Sequence, residues 1–262
     1  SILLSKWAVK PVDLAWKQQR QFVADASHEL KTPLTVIMTN AELMQSPEYD
    51  EENKQEFLTS IVTMSKQMRG LIEQMLVLAR ADLANSKESF ATVNFSNLIS
   101  NSLLPFEPVF FERGLTLTAQ IDENIKVTGG EAQLRHVLDV LLDNAQKYSK
   151  EAGSTWVKLR AHRKGHCLLE VANEGECISP EEIKNIFKRF YRIDQARSRT
   201  GSFGLGLSIA ESIVTQHHGK IWAESENGIN FFYVELTEQG EIRIIADFIL
   251  FLLIRNNTYA VL

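Results

Sequence analysis

Apolar residues return every seven positions in the first part of the chain, at Val23, Leu30, Ile37 and Met44, with Ala26 three residues into the repeat. That period predicts a helix carrying one apolar stripe at the a and d positions of a heptad. The helix is expected over 12–45 and ends at Ser46-Pro47, since proline disfavours helical geometry in the residue before it. A second helix follows, in which Phe57, Ile61, Met64, Met68, Leu71, Met75 and Leu78 are spaced alternately four and three apart. Joined by a short loop over 47–51, the two form an antiparallel hairpin whose long apolar face cannot be buried alone. Pairing two copies into a dimeric four-helix bundle is the economical solution. Residues 85–93 (NSKESFATV) turn polar and read as a linker. Beyond them, β-rich or alternating segments at 115–121, 155–159, 167–171, 220–223 and 230–236 mix with helical ones at 98–113, 133–149 and 205–217. The expected architecture is α plus α/β, with the later helices on one face of a mixed sheet.

The heptad phase leaves His28 at the outward f position beside Glu29. An outward histidine next to an acid suits a phosphate acceptor that meets two partners in turn. Pro33 lies inside the same helix and is expected to kink it one turn after His28. Farther on, Asn144 sits on the apolar face of a helix with Lys147 one turn later; an amide oxygen can ligate Mg²⁺ and a lysine can offset triphosphate charge. The Gly204-Leu205-Gly206 turn opens a helix, where backbone N–H groups and the helix dipole can meet phosphate oxygens. Arg189, Arg192, Arg197 and Arg199 crowd the stretch 188–202, which on its own reads as a solvated loop.

Composition narrows the classes. The 262 residues are 44% hydrophobic, enough for a sizeable core, and the net charge of −5 disfavours direct nucleic-acid binding. Cys167 and Cys177 form no CxxC or zinc pattern, which fits a reducing cytoplasm. Trp7 with Lys6 and Lys10 looks like the cytoplasmic edge of a membrane anchor whose apolar span lies outside this chain. The apolar run 244–254 is shorter than the roughly 20 residues a span needs and has no functional reading.

The segment Phe22-Val-Ala-Asp-Ala-Ser-His28-Glu-Leu-Lys-Thr-Pro-Leu34 resembles the H-box of sensor histidine kinases nearly letter for letter. The helix through Asn144, Lys147 and Tyr148 resembles their N-box; Asn173-Glu-Gly175-Glu-Cys177, Phe187-Lys-Arg-Phe190-Tyr191-Arg192 and Gly201-Ser-Phe-Gly204-Leu205-Gly206 align in order with their G1, F and G2 boxes. The resemblance implies a dimeric hairpin over 16–84, preceded by a juxtamembrane segment 1–15. It implies a Bergerat-type ATP-binding α/β sandwich over 94–240, followed by an extension 241–262 without a role. It further implies ATP and Mg²⁺ as cofactors, Asn144 as metal ligand, His28 as acceptor, Glu29 as base, and Thr32 as the residue orienting water for phosphatase action. The phosphoryl group would pass to an aspartate of a response regulator, on the cytoplasmic side of a bacterial membrane.

Four positions depart from the family pattern. Val140 replaces an asparagine, Asn173 the adenine-reading aspartate, Cys177 the second G1 glycine and Ser202 a G2 glycine. Asn173 accepts only through a neutral carbonyl, which predicts a weaker bond to adenine. The competing reading is a catalytically weak dimeric scaffold that binds nucleotide or regulator; a plain ATPase or chaperone of the same nucleotide fold is disfavoured by the H-box.

Overall fold

The computed structural model describes residues 2–82, 90–163, 165–193 and 202–238, with side chains on the first helix described at Trp16 and from Gln19 onward. The chain divides into two compact units, Ser1–Ala79 with Lys188–Leu205, and Arg80–Phe187 with Gly206–Leu262.

In the first unit α1 (Ile2–Gln45) and α2 (Glu51–Asp82) form the expected hairpin. The α2 seam is half-buried at Phe57, Ile61, Met64, Met68 and Met75 and fully buried at Leu71 and Leu78. Against it, α1 places Ala26 and Pro33, both buried, with Leu30, Ile37 and Met44 half-buried. Asn40 Nδ2 donates to Ser60 Oγ at 3.2 Å, a polar tie that fixes how the two helices align. Asp50 caps α2: its Oδ1 accepts the Asn53 backbone N–H at 2.9 Å and the Asn53 side chain at 2.7 Å. Those bonds hold its carboxyl below the usual range. Val23 departs from the heptad reading, being 54% exposed where Ala26 is 4%. A helix of 3.6 residues per turn drifts against a strict seven-residue repeat, and here the drift carries Val23 out of the inner seam. Leu34, Met38, Leu58, Val62, Ile72 and Leu76 are exposed as well, so the hairpin keeps apolar surface beyond the seam that it buries.

In the second unit five strands form a mixed sheet in the order β2 (Thr116–Ile121), β4 (Ser154–Ala161), β5 (His166–Glu174), β7 (Ile229–Thr237), β6 (Lys220–Glu226). Only the β2–β4 pair is parallel. α3 (Phe95–Leu103), α5 (Glu131–Tyr148) and α7 (Gly206–Gln216) pack together, and alternate strand residues such as Val157, Leu169, Val171 and Val234 face this helical layer and close the core. The stretch 98–113, expected as one helix, is two: α3 and α4 (Phe106–Glu112) part at Pro105, which has no N–H to continue the ladder. β1 (Ala91–Asn94) pairs antiparallel with β3 (Lys126–Gly129) and takes in Ala91, Thr92 and Val93 from the end of the polar stretch. α6 (Pro180–Ile183) is one turn held by a reciprocal Ser179–Glu182 capping box. No described helix is long and apolar enough to cross a membrane. Residues 83–89, the side chains around Trp7 and the run 244–254 lie outside the described residues.

Candidate active site

On α1 the ring of His28 is exposed, Glu29 is half-buried and Thr32 is exposed one turn on. Neither His28 nor Glu29 has a side-chain hydrogen bond to protein among the described residues, which leaves both groups available to a ligand. Pro33 cannot donate to the Glu29 carbonyl, yet α1 runs on unbroken to Gln45. The same unit holds the end of the F box. Phe190 adopts φ 59°, uncommon for a side chain this bulky. Its ring lies 5.8 Å from that of Phe22, and the Arg189 guanidinium lies 5.4 Å from the centre of the same Phe22 ring. Gly204 at φ +70° supplies a conformation and a clearance that no other residue could, because a Cβ there would lie 2.6 Å from the Tyr191 carbonyl oxygen. Leu205 is buried and Arg192 half-buried. Arg197, Arg199 and Gly201 lie outside the described residues.

In the second unit Gln133, His136, Val140, Asn144 and Lys147 follow one another at three- and four-residue steps and so share one half-buried stripe of α5. Asn144 spends neither side-chain amide atom on a protein partner among the described residues. Lys147 Nζ sits 2.7 Å from Asp143 Oδ2, and Tyr148 is 51% exposed. Gly206, which opens α7, comes up against Val140: a Cβ on it would meet Val140 Cγ1 at 3.2 Å. Gln133 Oε1 and His136 Nε2 are buried without a hydrogen-bond partner among the described residues. Burial pushes the His136 imidazole pKa down, against the opposing charge of Asp139, whose own carboxyl burial pushes up. Among the described residues no three His, Cys, Asp or Glu side chains gather into a metal site. Mg²⁺ commonly takes one or two protein oxygens and completes its shell with phosphate and water. A single uncommitted amide oxygen at Asn144 fits that mode.

Beyond β5 the loop that begins at Gly175 is locked from several sides. Gly175 N–H donates to Gly228 O at 2.9 Å, and Gly228 N–H donates to Cys177 Sγ at 3.2 Å. Ile178 N–H donates to Ser225 Oγ at 2.9 Å, Ser225 donates on to Asn230 Oδ1 at 2.7 Å, and Asn230 Nδ2 donates to Glu176 O at 3.0 Å. Gly175 itself permits close approach, since a Cβ would stand 2.5 Å from Tyr148 O and 3.1 Å from Asn173 Nδ2. Asn173 is 2% exposed and lies in register between Thr155 and Asn230, both also buried. These three polar side chains sit on the face of the sheet that the helices cover.

Two family models match the chain. Residues 18–84 match the His Kinase A (phospho-acceptor) domain, and residues 129–240 match the Histidine kinase-, DNA gyrase B-, and HSP90-like ATPase family. The chain belongs to the sensor histidine kinases. Sensor protein DltS of Streptococcus agalactiae is 35% identical over 240 residues, covering 92% of this chain and 60% of its own length, so the chain spans less than two thirds of that relative. The histidine kinase AdeS of Acinetobacter baumannii has the same fold, at TM-score 0.64 and 21% identity over 81% of this chain and 98% of that one. So does histidine kinase ThkA in its complex with response regulator protein TrrA, at TM-score 0.65 and 21% identity over 92% and 68%.

The structure accounts for most of the family departures. Cys177 keeps a negative φ, so this position does not require a glycine, and its sulfur takes the Gly228 N–H. Val140 gives the opening of α7 two methyl groups to pack on. Asn173 lies between the uncharged Thr155 and Asn230 in the sheet; Ser202 has no explanation in the fold. Gln133, His136, Thr155, Ser225 and Asn230 were missed by sequence reasoning. The three- and four-residue steps back from Asn144 point to the first two, and a polar residue at an inward position of the strand 230–236 points to Asn230.

Proposed function

We propose that this chain is the kinase portion of a membrane-anchored sensor, an ATP-dependent protein-histidine kinase that phosphorylates itself on His28 and hands the phosphoryl group to an aspartate of a response regulator. The observation that carries the reading is the exposed, uncommitted His28 beside Glu29 on a phosphoacceptor-type hairpin, in a chain that also holds the ATPase-type α/β unit.

A His28 ring nitrogen attacks the γ-phosphorus of ATP in line as the bond to the β,γ-bridging oxygen breaks and ADP leaves. Glu29 accepts a hydrogen bond from the N–H of the other ring nitrogen, which keeps the attacking nitrogen's lone pair free and stabilises the positive ring as it forms. Lys147, the cation of Arg192 and the N–H groups around Gly201, Gly204, Leu205 and Gly206 hold the phosphates; Tyr148 and Phe190 flank the nucleotide, and Asn173 with Gly175 receives the base. Asn144 would hold Mg²⁺, which when bound would offset the charge on the phosphate oxygens. Thr32, one turn from His28, orients water when the regulator is dephosphorylated. The hairpin works as a homodimer, because its exposed apolar residues need a partner surface. The ThkA–TrrA complex supports a response-regulator partner for this fold. The domain limits proposed are 16–84 for the hairpin, 85–93 for the linker and 94–240 for the ATP-binding domain.

Incubation with γ-labelled ATP and Mg²⁺ should give an acid-labile, base-stable label that is absent in His28→Gln. No label at millimolar ATP would leave the scaffold reading in its place. Phosphate release that continues without His28 would favour the plain ATPase.

A further inference from the structure

We propose that Asn173 makes the base pocket a reader of purines in both their 6-amino and 6-oxo forms, so that 6-oxopurine nucleoside triphosphates bind alongside ATP. The inference rests on the reading of this site as the base pocket.

Asn173 is 2% exposed, and its Oδ1 has no hydrogen-bond partner among the described residues. Its Nδ2 donates one protein bond, to Glu174 O at 3.4 Å, at the long end of what counts as a hydrogen bond. An amide this sparsely bonded has hydrogen-bonding capacity left for a ligand. The ligand must be neutral where it touches. Thr155 and Asn230, on either side in the sheet, are uncharged, while Glu174 alternates to the other face and is engaged by Lys150 Nζ at 3.0 Å and the Ser154 N–H at 2.9 Å.

An amide presents a donor and an acceptor side by side, whereas a carboxylate presents acceptors only. Against adenine the amide carbonyl takes the 6-amino proton and the NH₂ reaches N1. Turned over, the same amide donates to a 6-oxo group and accepts from N1–H. A carboxylate would face the 6-oxo oxygen as one acceptor against another. The fold leaves the turn-over inexpensive at this residue and not at its neighbour. Asn230 is fixed at both ends, by Ser225 Oγ at 2.7 Å and Glu176 O at 3.0 Å, and reversing it breaks both bonds. Reversing Asn173 gives up the 3.4 Å contact and leaves Oδ1 facing the Glu174 carbonyl at that long distance, which costs less than two broken bonds. Gly175 keeps the amide reachable, because a Cβ there would press on the Nδ2 groups of Asn173 and Asn230 at 3.1 and 3.2 Å.

Calorimetric titration of the full chain with Mg²⁺ and ATP, inosine triphosphate or purine riboside triphosphate, which lacks any 6-substituent, tests this. ATP and inosine triphosphate should bind within about tenfold of each other, and both about tenfold or more tighter than the unsubstituted purine. Asn173→Asp should shift the preference toward ATP over inosine triphosphate by about tenfold or more. ATP binding with no detectable inosine triphosphate binding overturns the inference and leaves the nucleotide site standing. So does an unsubstituted purine that binds as well as the other two, or an Asn173→Asp preference equal to that of the parent chain. If the folded chain binds none of the three, the base-pocket reading fails and the inference falls with it.

Discussion

At Cys177 a thiol stands where the family commonly has glycine, exposed on the loop after β5 and accepting the Gly228 N–H at 3.2 Å. Cys167 is its opposite: burial, reinforced by the charge of Glu238, pushes that thiol up to about 12, so it carries no thiolate near neutrality. A thiol reagent at pH 8 should therefore label Cys177 in the native chain and reach Cys167 only on unfolding. Two native labels by mass spectrometry would contradict this assignment. His136 carries a different signature. Burial lowers its pKa below 6.5, so the unfolded chain takes up the proton first as pH falls. The neutral ring's contribution is complete above about 6.5 and declines in the interval just below that value, flattening again once the folded state also binds the proton. Urea midpoints from pH 7.5 to 5 should fall in that interval for the parent chain and fall less for His136→Gln. Parallel curves for the two would sink the argument.

Among the elements, α5 and α7 are joined end to end by His217. Its Nε2 accepts the N–H of Gly130 at 3.0 Å, its Nδ1–H donates to Ile213 O at 2.8 Å, and its ring stacks on Phe90 with centroids 4.4 Å apart. His217→Ala should cost about 2–4 kcal/mol, combining a void with a buried N–H left unmet at the start of α5. Chemical denaturation of the second unit reads the loss directly; a change under 0.5 kcal/mol, about the size of an ordinary surface substitution, would show the clasp to be idle. Nothing in the sequence marks His217, because its partners lie far away in the chain and no periodicity links them. The hairpin, by contrast, was legible, since α2 repeats its apolar residues by a local rule that survives folding. The five sheet strands and the helices through Asn144 and after Gly204 were legible for the same reason. Their pairing order was not, and neither was the β1–β3 ribbon, whose four-residue strands are too short to show alternation. At the site, the boxes marked His28, Asn144, Asn173 and the glycines. Asn230 stood out as a polar residue at an inward strand position, but its role and that of Ser225 stayed hidden because both brace a loop about fifty residues away, a relation that exists only after the sheet has formed.

For the molecule as a whole, the proposed homodimer turns on whether two hairpins pair. The inner seam through Leu71 and Leu78 is satisfied within one chain, whereas Leu58 and Leu76 are 42% and 53% exposed. Full burial of a leucine is worth roughly 1.5–3 kcal/mol relative to exposure, so the exposed half of each is worth about 1 kcal/mol on pairing. Symmetry counts each residue twice. Leu58→Glu with Leu76→Glu removes four such contributions and adds four carboxylates that pairing would have to desolvate, which should raise the dimer dissociation constant on the order of a thousandfold. Far-UV circular dichroism should stay unchanged, because neither residue belongs to the seam that holds α1 against α2. Sedimentation velocity at micromolar concentration should then show a folded monomer for the variant and a dimer for the parent. A variant that stays dimeric would place the pairing surface elsewhere on the chain. A variant that loses its helicity would show that the hairpin does not hold itself together without a partner, contrary to the inner packing described for it.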